Sequence, residues 1–298
     1  MTQPSIGVFD SGVGGLTVLK AMAEQSPAHY TYFGDTARLP YGTKSAETVA
    51  RYAIAAARFL ETQNIDLLVI ACNTATALAL PAIKNAAHVP VVGVVEPGAA
   101  MASEVSKTRA AIVIATEATV SSHAYRDALQ RHGIESLEKA CPLFVPLVEE
   151  GWIEHPVTEQ VARIYLGEAS AQAPDGADVL VLACTHYPLL APLLRRIVPE
   201  SMHIVDSAES TARVVKKMIE DGCELRAASK IAAAEVSSRA SAASRETSTT
   251  VLSSPAAHRT FRFYVTDSTD KFKRLAMRFL GRQVDNVEHV DLESRGHN

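Results

Sequence analysis

Short runs of apolar residues alternate along the chain with longer stretches of mixed polarity. In the mixed stretches, apolar residues recur every three or four positions, which predicts helices such as 45–63 and 209–220. Continuous apolar strands that alternate with helices are typical of parallel sheets covered on both faces, so the pattern predicts an α/β fold. The apolar runs predict strands at 5–9, 29–33, 66–71, 91–95, 110–115, 178–183, 203–205 and 261–265.

The same pattern occurs twice along the chain. "DLLVIACNTA" at 66–75 resembles "DVLVLACTHY" at 178–187. The repeat predicts two similar α/β lobes with mainly parallel sheets, related by a pseudo-twofold axis, with the active site in the cleft between the lobes. Two further pairs agree with it, "IGVFDSG" (6–12) with "AAIVIATEAT" (110–119) and "VVGVVEPGAA" (91–100) with "HIVDSAES" (203–210).

The repeat also predicts the domain boundaries. One lobe comprises residues 1–96 and the returning tail 208–298, and the other comprises 97–207. Within the tail, residues 223–258 are rich in Ala, Ser and Thr and contain no aromatic residue. Such a segment buries too little apolar surface to offset the entropy lost on ordering. We expect most of it to be a flexible surface insert, with a helical turn near "SKIAAAEV".

Composition narrows the class of protein. A formal net charge of −4 without a basic cluster argues against a dedicated nucleic-acid binder. The first residues, "MTQPSIGVFD", lack the features of a signal peptide, and no apolar run is long enough to span a bilayer, so we expect a cytoplasmic protein. The four cysteines are too few and too scattered for a disulfide framework, and no Cys-x-x-Cys pair offers a zinc or redox site.

Cys72 and Cys184 occupy matching places in the two halves, each just after a predicted strand. Ligands of open α/β sheets bind outside the carboxyl ends of strands, and a helix N-terminus there lowers the pKa of a thiol. A single buried cysteine packs most often as a small apolar residue. Two at matching positions instead predict thiols that face each other across the cleft, with one sulfur on each face of a substrate.

Polar residues follow each of these cysteines. Asn73, Thr74, Thr185 and His186 lie where helices are expected to begin, and the free N–H groups of a helix start can hold a carboxylate. The two threonines also suit N-caps. His186 is either a core histidine or a proton relay, and its place two residues after Cys184 favours the relay.

The first turn carries a further acid. Its glycines, in "GVGGLT", match neither G-x-G-x-x-G nor the P-loop, so they indicate a phosphate site only weakly. Asp10 precedes them, and a negative charge there disfavours phosphate. The carboxylate suits instead an ammonium group or a thiol that must lose its proton, and Ser11 adds a hydroxyl.

Motifs along most of the chain resemble those of the glutamate racemases of the Asp/Glu racemase family. The resemblance runs from residue 6 to about 222 and from 259 to about 291, and the insert 223–258 departs from it. The motifs, which are specific only as an ordered set, are "GVFDSGVGGLTVLK", "YFGDTARLPYGTKS", "VIACNTATA", "VVGVVEPGA", "CPLFVPLVEEG", "LACTHYPLL" and "FYVTDSTDKF".

The resemblance implies an isomerase that interconverts L- and D-glutamate without a cofactor. Such an enzyme supplies D-glutamate for peptidoglycan synthesis, and thus serves cell-wall biogenesis and cell shape. Cys72 and Cys184 would be the two bases, assisted by Asp10 and His186 respectively. The implied substrate contacts are the pairs Asp10–Ser11, Tyr41–Gly42, Asn73–Thr74 and Thr185–His186.

Two of the implied site residues have ordinary alternatives. In "LVEEG" one acid resembles a further catalytic residue, and we favour Glu150 over Glu149; the alternative is a solvated carboxylate at a helix end. Tyr41 is otherwise a turn residue after Pro40. Neither Lys44 nor Lys84 lies in a context that suggests a Schiff base with pyridoxal phosphate.

Other functions stay open at this point. An aspartate racemase or a hydantoin racemase of the same wider group would carry similar residues, and substrate tests would separate them. A non-catalytic binding protein is the alternative from a different class. Some glutamate racemases are implicated in binding DNA gyrase, and the insert suits such a contact, as a homodimer would suit the family. No metal, membrane or direct nucleic-acid partner is expected.

Overall fold

The computed structural model describes residues 3–222, 250–252 and 259–292. The predicted flexible insert, 223–258, lies outside the described residues except for 250–252. Within the described ranges, no helix combines the length and apolar character needed to cross a membrane.

The first sheet has the strand order β11-β10-β2-β1-β3-β4, and all of these neighbours run parallel. A short additional strand, β9, pairs antiparallel with β10. The strands of this sheet are β1 (Ser5–Asp10), β2 (His29–Gly34), β3 (Leu67–Ile70), β4 (Val91–Gly93), β9 (Thr250–Leu252), β10 (Arg259–Val265) and β11 (Val287–His289).

The second sheet has the order β6-β5-β7-β8 and is parallel throughout. Its central strands β5 and β7 are buried along their whole length, as their apolar sequences require. The strands are β5 (Ala110–Ala115), β6 (Glu135–Ala140), β7 (Val179–Ala183) and β8 (His203–Asp206).

Helices connect successive parallel strands, as parallel pairing requires. They are α1 (Leu16–Gln25), α2 (Ala46–Glu61), α3 (Asn73–Ala86), α4 (Val95–Val105), α5 (Glu117–Ser122), α6 (Ala124–Arg131), α7 (Phe144–Glu150), α8 (Pro156–Ser170), α9 (Ala191–Arg195), α10 (Ser207–Asp221) and α11 (Thr269–Leu280), with 3₁₀ turns at Thr36–Arg38, Tyr41–Thr43 and Tyr187–Leu190.

The predicted α/β fold with two mainly parallel sheets is confirmed, and the predicted strands and helices are present. The strand predicted at 91–95 is shorter, because α4 begins at Val95. Strand β6 was not predicted: its sequence "ESLEKA" is mostly polar, and it lies at a sheet edge with half-buried side chains. The returning tail places β10 beside β2. The lobe boundaries stay a prediction.

Buried side chains of the described ranges form a core that both sheets share. One cluster contains Val8 of β1, Leu182 of β7 and Phe272 of α11. Helix α10, which follows the second sheet, packs against α1 of the first. Separate clusters cover the outer faces, with α2 and α3 on the first sheet and α4 and α6 on the second. The two sheets are therefore packed as one body around α1, α10 and α11.

Candidate active site

Cys72 follows β3 and caps α3. Its sulfur accepts a hydrogen bond from the backbone N–H of Ala75 at 3.4 Å, and its thiol donates to Ser11 Oγ at 3.4 Å. Only 5% of the residue is exposed. The sequence predicts a lowered thiol pKa at this helix start, but burial and the nearby Asp10 carboxylate outweigh the hydrogen bonds and raise the pKa of Cys72 to about 12.

Cys184 follows β7 at the matching position and is equally buried, with 5% exposed. The chain then enters a 3₁₀ turn at Tyr187–Leu190, so no α-helix begins directly after this cysteine, contrary to expectation. Thr185, the next residue, is bound by a helix that packs on the first sheet. Its carbonyl accepts a hydrogen bond from Thr17 Oγ1 of α1 at 3.0 Å. The turn after β7 is thus fixed against the other half of the fold.

His186 lies between Cys184 and an acid. Its Nε2 is 3.0 Å from Glu149 Oε1, and only 10% of the imidazole is exposed. Burial lowers the pKa of His186, but the Cys184 sulfur and the Glu149 carboxylate outweigh this and raise it to about 10. The imidazole is therefore protonated at neutral pH, when it can stabilise a thiolate at Cys184.

The geometry of α7 favours Glu149 as the site acid, whereas the sequence favours Glu150. Successive residues of a helix point about 100° apart, so only one of two adjacent acids can face a given site. Glu149 faces His186, whereas Glu150 is exposed at the helix end. Burial tends to raise the pKa of Glu149, but its bond to His186 and the charges of Lys271 and Arg278 lower it.

Asp10 ends β1 and is almost completely buried. Its Oδ2 accepts from the backbone N–H of Gly12 at 2.8 Å, while Oδ1 is buried with no hydrogen-bond partner among the described residues. Burial raises the pKa of Asp10, and the bond from Gly12 and the charge of His186 only partly offset this. A buried acceptor without a donor suits an incoming ammonium group.

Hydroxyl and amide groups connect the two sheets beside Cys72. Asn73 Nδ2 donates to Ser207 Oγ at 3.1 Å, and Asn73 Oδ1 accepts from Tyr125 Oη at 2.6 Å. Thr74 Oγ1 lies 3.0 Å from Thr116 Oγ1 and 3.3 Å from Thr119 Oγ1. Both side chains that follow Cys72 therefore reach residues of the second half.

Sequence reasoning missed Thr116, Thr119, Tyr125 and Ser207. Signals for two of them were present: in the internal repeat, Thr116 follows β5 as Ser11 follows β1. Ser207 likewise directly follows the acid that ends β8. Tyr125 had no signal, because a helical tyrosine is typical of an ordinary core.

Tyr41 lies in the same buried cluster as Cys72, and its phenol is engaged by Asp35. Tyr41 Oη donates to Asp35 Oδ2 at 2.5 Å, and burial together with this carboxylate raises the tyrosine pKa. A Cβ at Gly42 would lie 3.3 Å from Thr116 Cβ, so the backbone of this turn approaches the second half closely. A substrate contact at Tyr41–Gly42 would therefore use backbone groups.

No group of three or more His, Cys, Asp or Glu side chains within the described ranges is arranged to hold a metal ion. The polar groups described beside the two strand ends are carboxylate, imidazole, hydroxyl and amide groups. Such a set can bind an ammonium and a carboxylate and can move protons at two sulfurs.

Gly14 offers a test of the packing around His186. A Cβ at this position would lie 2.5 Å from His186 Nδ1 and even closer to Thr185 Oγ1. We expect Gly14→Ala to displace both residues and to lower kcat/KM by about tenfold or more, because small misplacements of catalytic groups are costly. Steady-state kinetics at several pH values would measure the effect.

Gly167 provides the matched control. It lies within α8, and no heavy atom would lie within 4 Å of a Cβ there. Gly167→Ala should leave kcat/KM unchanged and stabilise the fold by about 1 kcal/mol, the preference of a helix for Ala over Gly. Equal activity of the two variants would contradict the close contact at Gly14.

Known proteins resemble this chain in sequence and in fold. The family model described as Asp/Glu/Hydantoin racemase matches residues 6–215. A glutamate racemase of Koribacter versatilis (strain Ellin345) is 58% identical over 291 residues, which cover 97% of this chain and 98% of the relative. The chain is therefore similar to these proteins over almost its whole length.

Solved structures show the same similarity. A glutamate racemase isoform from Bacillus anthracis has a TM-score of 0.82 at 32% identity, with 98% of this chain and 99% of that chain covered. A glutamate racemase from Francisella tularensis in complex with D-glutamate has a TM-score of 0.79 at 31% identity, with 98% of both chains covered. The arrangement of the two sheets is thus that of proteins with this name.

Proposed function

The chain belongs to the Asp/Glu/Hydantoin racemase family, and we propose that it interconverts L- and D-glutamate, with one cysteine sulfur removing the Cα proton and the other delivering a proton to the opposite face. It is an isomerase of the amino-acid racemase class. The observation that carries the mechanism is the matching position of Cys72 and Cys184. Each is buried at the carboxyl end of a central strand, one per sheet, and each has its own acid–base neighbour.

One thiolate removes the Cα proton and the opposite thiol delivers a proton to the other face. Asp10 and Ser11 assist Cys72, while His186, held by Glu149, assists Cys184. The raised pKa of Cys72 means that the resting sulfur is a thiol. Each unit by which the pKa is raised adds about 1.4 kcal/mol to the cost of forming the thiolate. Bound substrate must therefore supply a positive charge that favours the thiolate of Cys72.

The substrate's ammonium group can supply that charge. Asp10 Oδ1 is a buried acceptor without a hydrogen-bond partner among the described residues, and an ammonium bound there would replace the repulsion of Cys72 by Asp10 with an attraction. The glutamate carboxylates would bind the pairs Tyr41–Gly42, Asn73–Thr74 and Thr185–His186. Fixed donors around the α-carboxylate would stabilise the carbanion in a site closed to water.

Circular dichroism of the purified protein with L- and D-glutamate tests the proposal directly. Signal should decay from either enantiomer to zero, because the two have equal free energy. Aspartate and hydantoins, the substrates of the wider group, serve as comparisons and should react far more slowly. Decay with aspartate but not glutamate would reject the substrate assignment.

Racemisation should need no added cofactor, because the two sulfurs supply both the base and the acid. We expect full activity after extensive dialysis and treatment with hydroxylamine, a reagent that removes pyridoxal phosphate from Schiff bases. Polarimetry before and after treatment would measure this. Loss of activity that pyridoxal phosphate restores would reject the two-thiol mechanism.

The wider setting follows from the activity. We infer that the protein acts in the cytoplasm and supplies D-glutamate to peptidoglycan synthesis, and that the cleft lies between lobes 1–96 with 208–298 and 97–207. Glutamate is the proposed small-molecule partner, as in the Francisella tularensis complex. A homodimer and a contact of the insert with DNA gyrase stay predictions.

A further inference from the structure

The C-terminal helix α11 extends from the first sheet to the acid–base pair beside Cys184. It follows β10 and packs against α1. At its end, the Phe279 ring lies edge-on to the His186 ring, with centroids 5.1 Å apart. Arg278, the preceding residue, donates from Nη1 to Val148 O at 3.0 Å and to Glu149 O. The last turn of α11 therefore contacts both members of the His186–Glu149 pair.

Arg278 binds the end of α7, where the last carbonyls of a helix lack intrahelical partners. A guanidinium supplies donors to such carbonyls, and its positive charge is favourable at a helix C-terminus. Gly151 ends α7 in the left-handed region at φ 85°, and a Cβ there would overlap the guanidinium. The chain thus leaves space for Arg278 at this position.

We propose that Arg278 is a positioning residue that holds Glu149 in the direction of His186. Glu149 is bound at both ends: its carbonyl accepts from Arg278 and its carboxylate contacts His186. The carboxylate is 23% exposed and could turn to solvent if the helix end moved. The proposal rests on the assignment of His186 and Glu149 to the racemase site.

The charges around His186 give the proposal a specific readout. Without Arg278, Glu149 moves away, and the protonated imidazole loses the carboxylate that stabilises it. Its pKa then falls, and the alkaline limb of the pH–rate profile moves to lower pH. The charged or titratable groups that act on the imidazole from neighbouring elements are Asp10 of β1, Glu149 of α7 and Cys184 after β7. Lys271 and Arg278 of α11 act on the Glu149 carboxylate.

The test compares Arg278→Met with Arg274→Met. Arg274 lies one turn earlier on α11, is exposed, and makes no hydrogen bond or ion pair within the described part of the chain. Arg278→Met should lower kcat by about tenfold with a smaller change in KM, and should move the alkaline limb down by about one pH unit. Arg274→Met should match the wild type in both.

A double mutant separates positioning from general stability. If Arg278 acts through Glu149, Arg278→Met in the Glu149→Gln background should cost no more than about twofold, because coupled residues are not additive. Arg278→Lys, which keeps the charge, should shift the alkaline limb less. This variant replaces Arg278→Met in the test if thermal melting shows that Arg278→Met does not fold.

The outcomes distinguish this proposal from the proposed function. An unchanged alkaline limb in Arg278→Met, or additive losses in the double mutant, would overturn the role of Arg278 and leave the racemase assignment intact. Full activity in Cys184→Ala would overturn the two-thiol assignment itself.

Discussion

Replacing either Cys72 or Cys184 with Ala should lower kcat/KM for glutamate by about 10⁴-fold or more, the upper end of what one general acid or base contributes. Each direction needs a base on one face of Cα and an acid on the other, so neither direction survives the loss of one sulfur. The loss in kcat/KM must be equal in both directions, because the enantiomers have the same free energy.

The two sulfurs differ only in which enantiomer each deprotonates. Isotope exchange at Cα measures these two half-reactions separately. In heavy water the wild-type enzyme should place deuterium mainly in the product enantiomer, since the delivered proton comes from a second thiol that has equilibrated with solvent. A single base would carry the abstracted proton across and return part of it. Proton NMR of the Cα position in both enantiomers distinguishes these cases.

Each cysteine variant should exchange the Cα proton of one glutamate enantiomer faster than that of the other. The family resemblance predicts that Cys72 should act on D-glutamate and Cys184 on L-glutamate. Cys184→Ala should therefore still exchange the Cα proton of D-glutamate slowly, and Cys72→Ala should favour L-glutamate. Equal exchange of both enantiomers in each variant would remove the two-base assignment and return these cysteines to the core.

Cys141 is the matched control. It is fully buried and directly follows β6, so it is a strand-end cysteine of the same sheet as Cys184. Its thiol donates to Lys139 O at 3.7 Å, and among the described residues no hydrogen bond joins it to Asp10, His186 or Glu149. Cys141→Ala should keep kcat/KM within about threefold of wild type, as expected of a core residue outside the reaction.

Glu149→Gln should lower kcat/KM by about 10²-fold, the lower end of the range for a general acid–base group. Its carboxylate favours the protonated form of His186. Without that charge the pKa of His186 falls, so the protonated imidazole is lost at a lower pH. The alkaline limb of the pH–rate profile should therefore shift to lower pH, whereas the acid limb should change little.

Glu150→Gln is the neighbouring control on the same helix. Glu150 is exposed, so its amide variant should match the wild type in rate and in both limbs of the profile. The comparison decides which residue of "LVEEG" serves the site. A large loss in Glu150→Gln with none in Glu149→Gln would reverse the assignment made from the structure.

The sequence was sufficient to place the two cysteines at strand ends and to predict their sheets, because buried parallel strands consist of uninterrupted apolar runs. Once β3 and β7 were recognised as equivalent, Cys72 and Cys184 followed at equivalent strand ends. Pattern reasoning failed at β6, where an edge strand tolerates charged residues and loses the apolar signal.

Contacts between distant parts of the chain were beyond the sequence. The choice between Glu149 and Glu150 depends on the rotation of α7, which packing sets. The bond from Tyr125 to Asn73 joins residues far apart in sequence, and no local preference encodes it. The pKa of Cys72 was misjudged for a related reason, since burial depends on the whole fold whereas the helix start is visible locally.

Strand β9 changes how the chain could be shortened. Composition predicts a flexible surface insert at 223–258, yet residues 250–252 pair with Arg259–Phe261 on the same edge of β10 that β11 covers further along. Removing the whole segment would expose backbone N–H and C=O groups on an aromatic strand. Unpaired edges of this kind promote aggregation between molecules. A truncated protein for crystallisation should therefore end its deletion before Thr250.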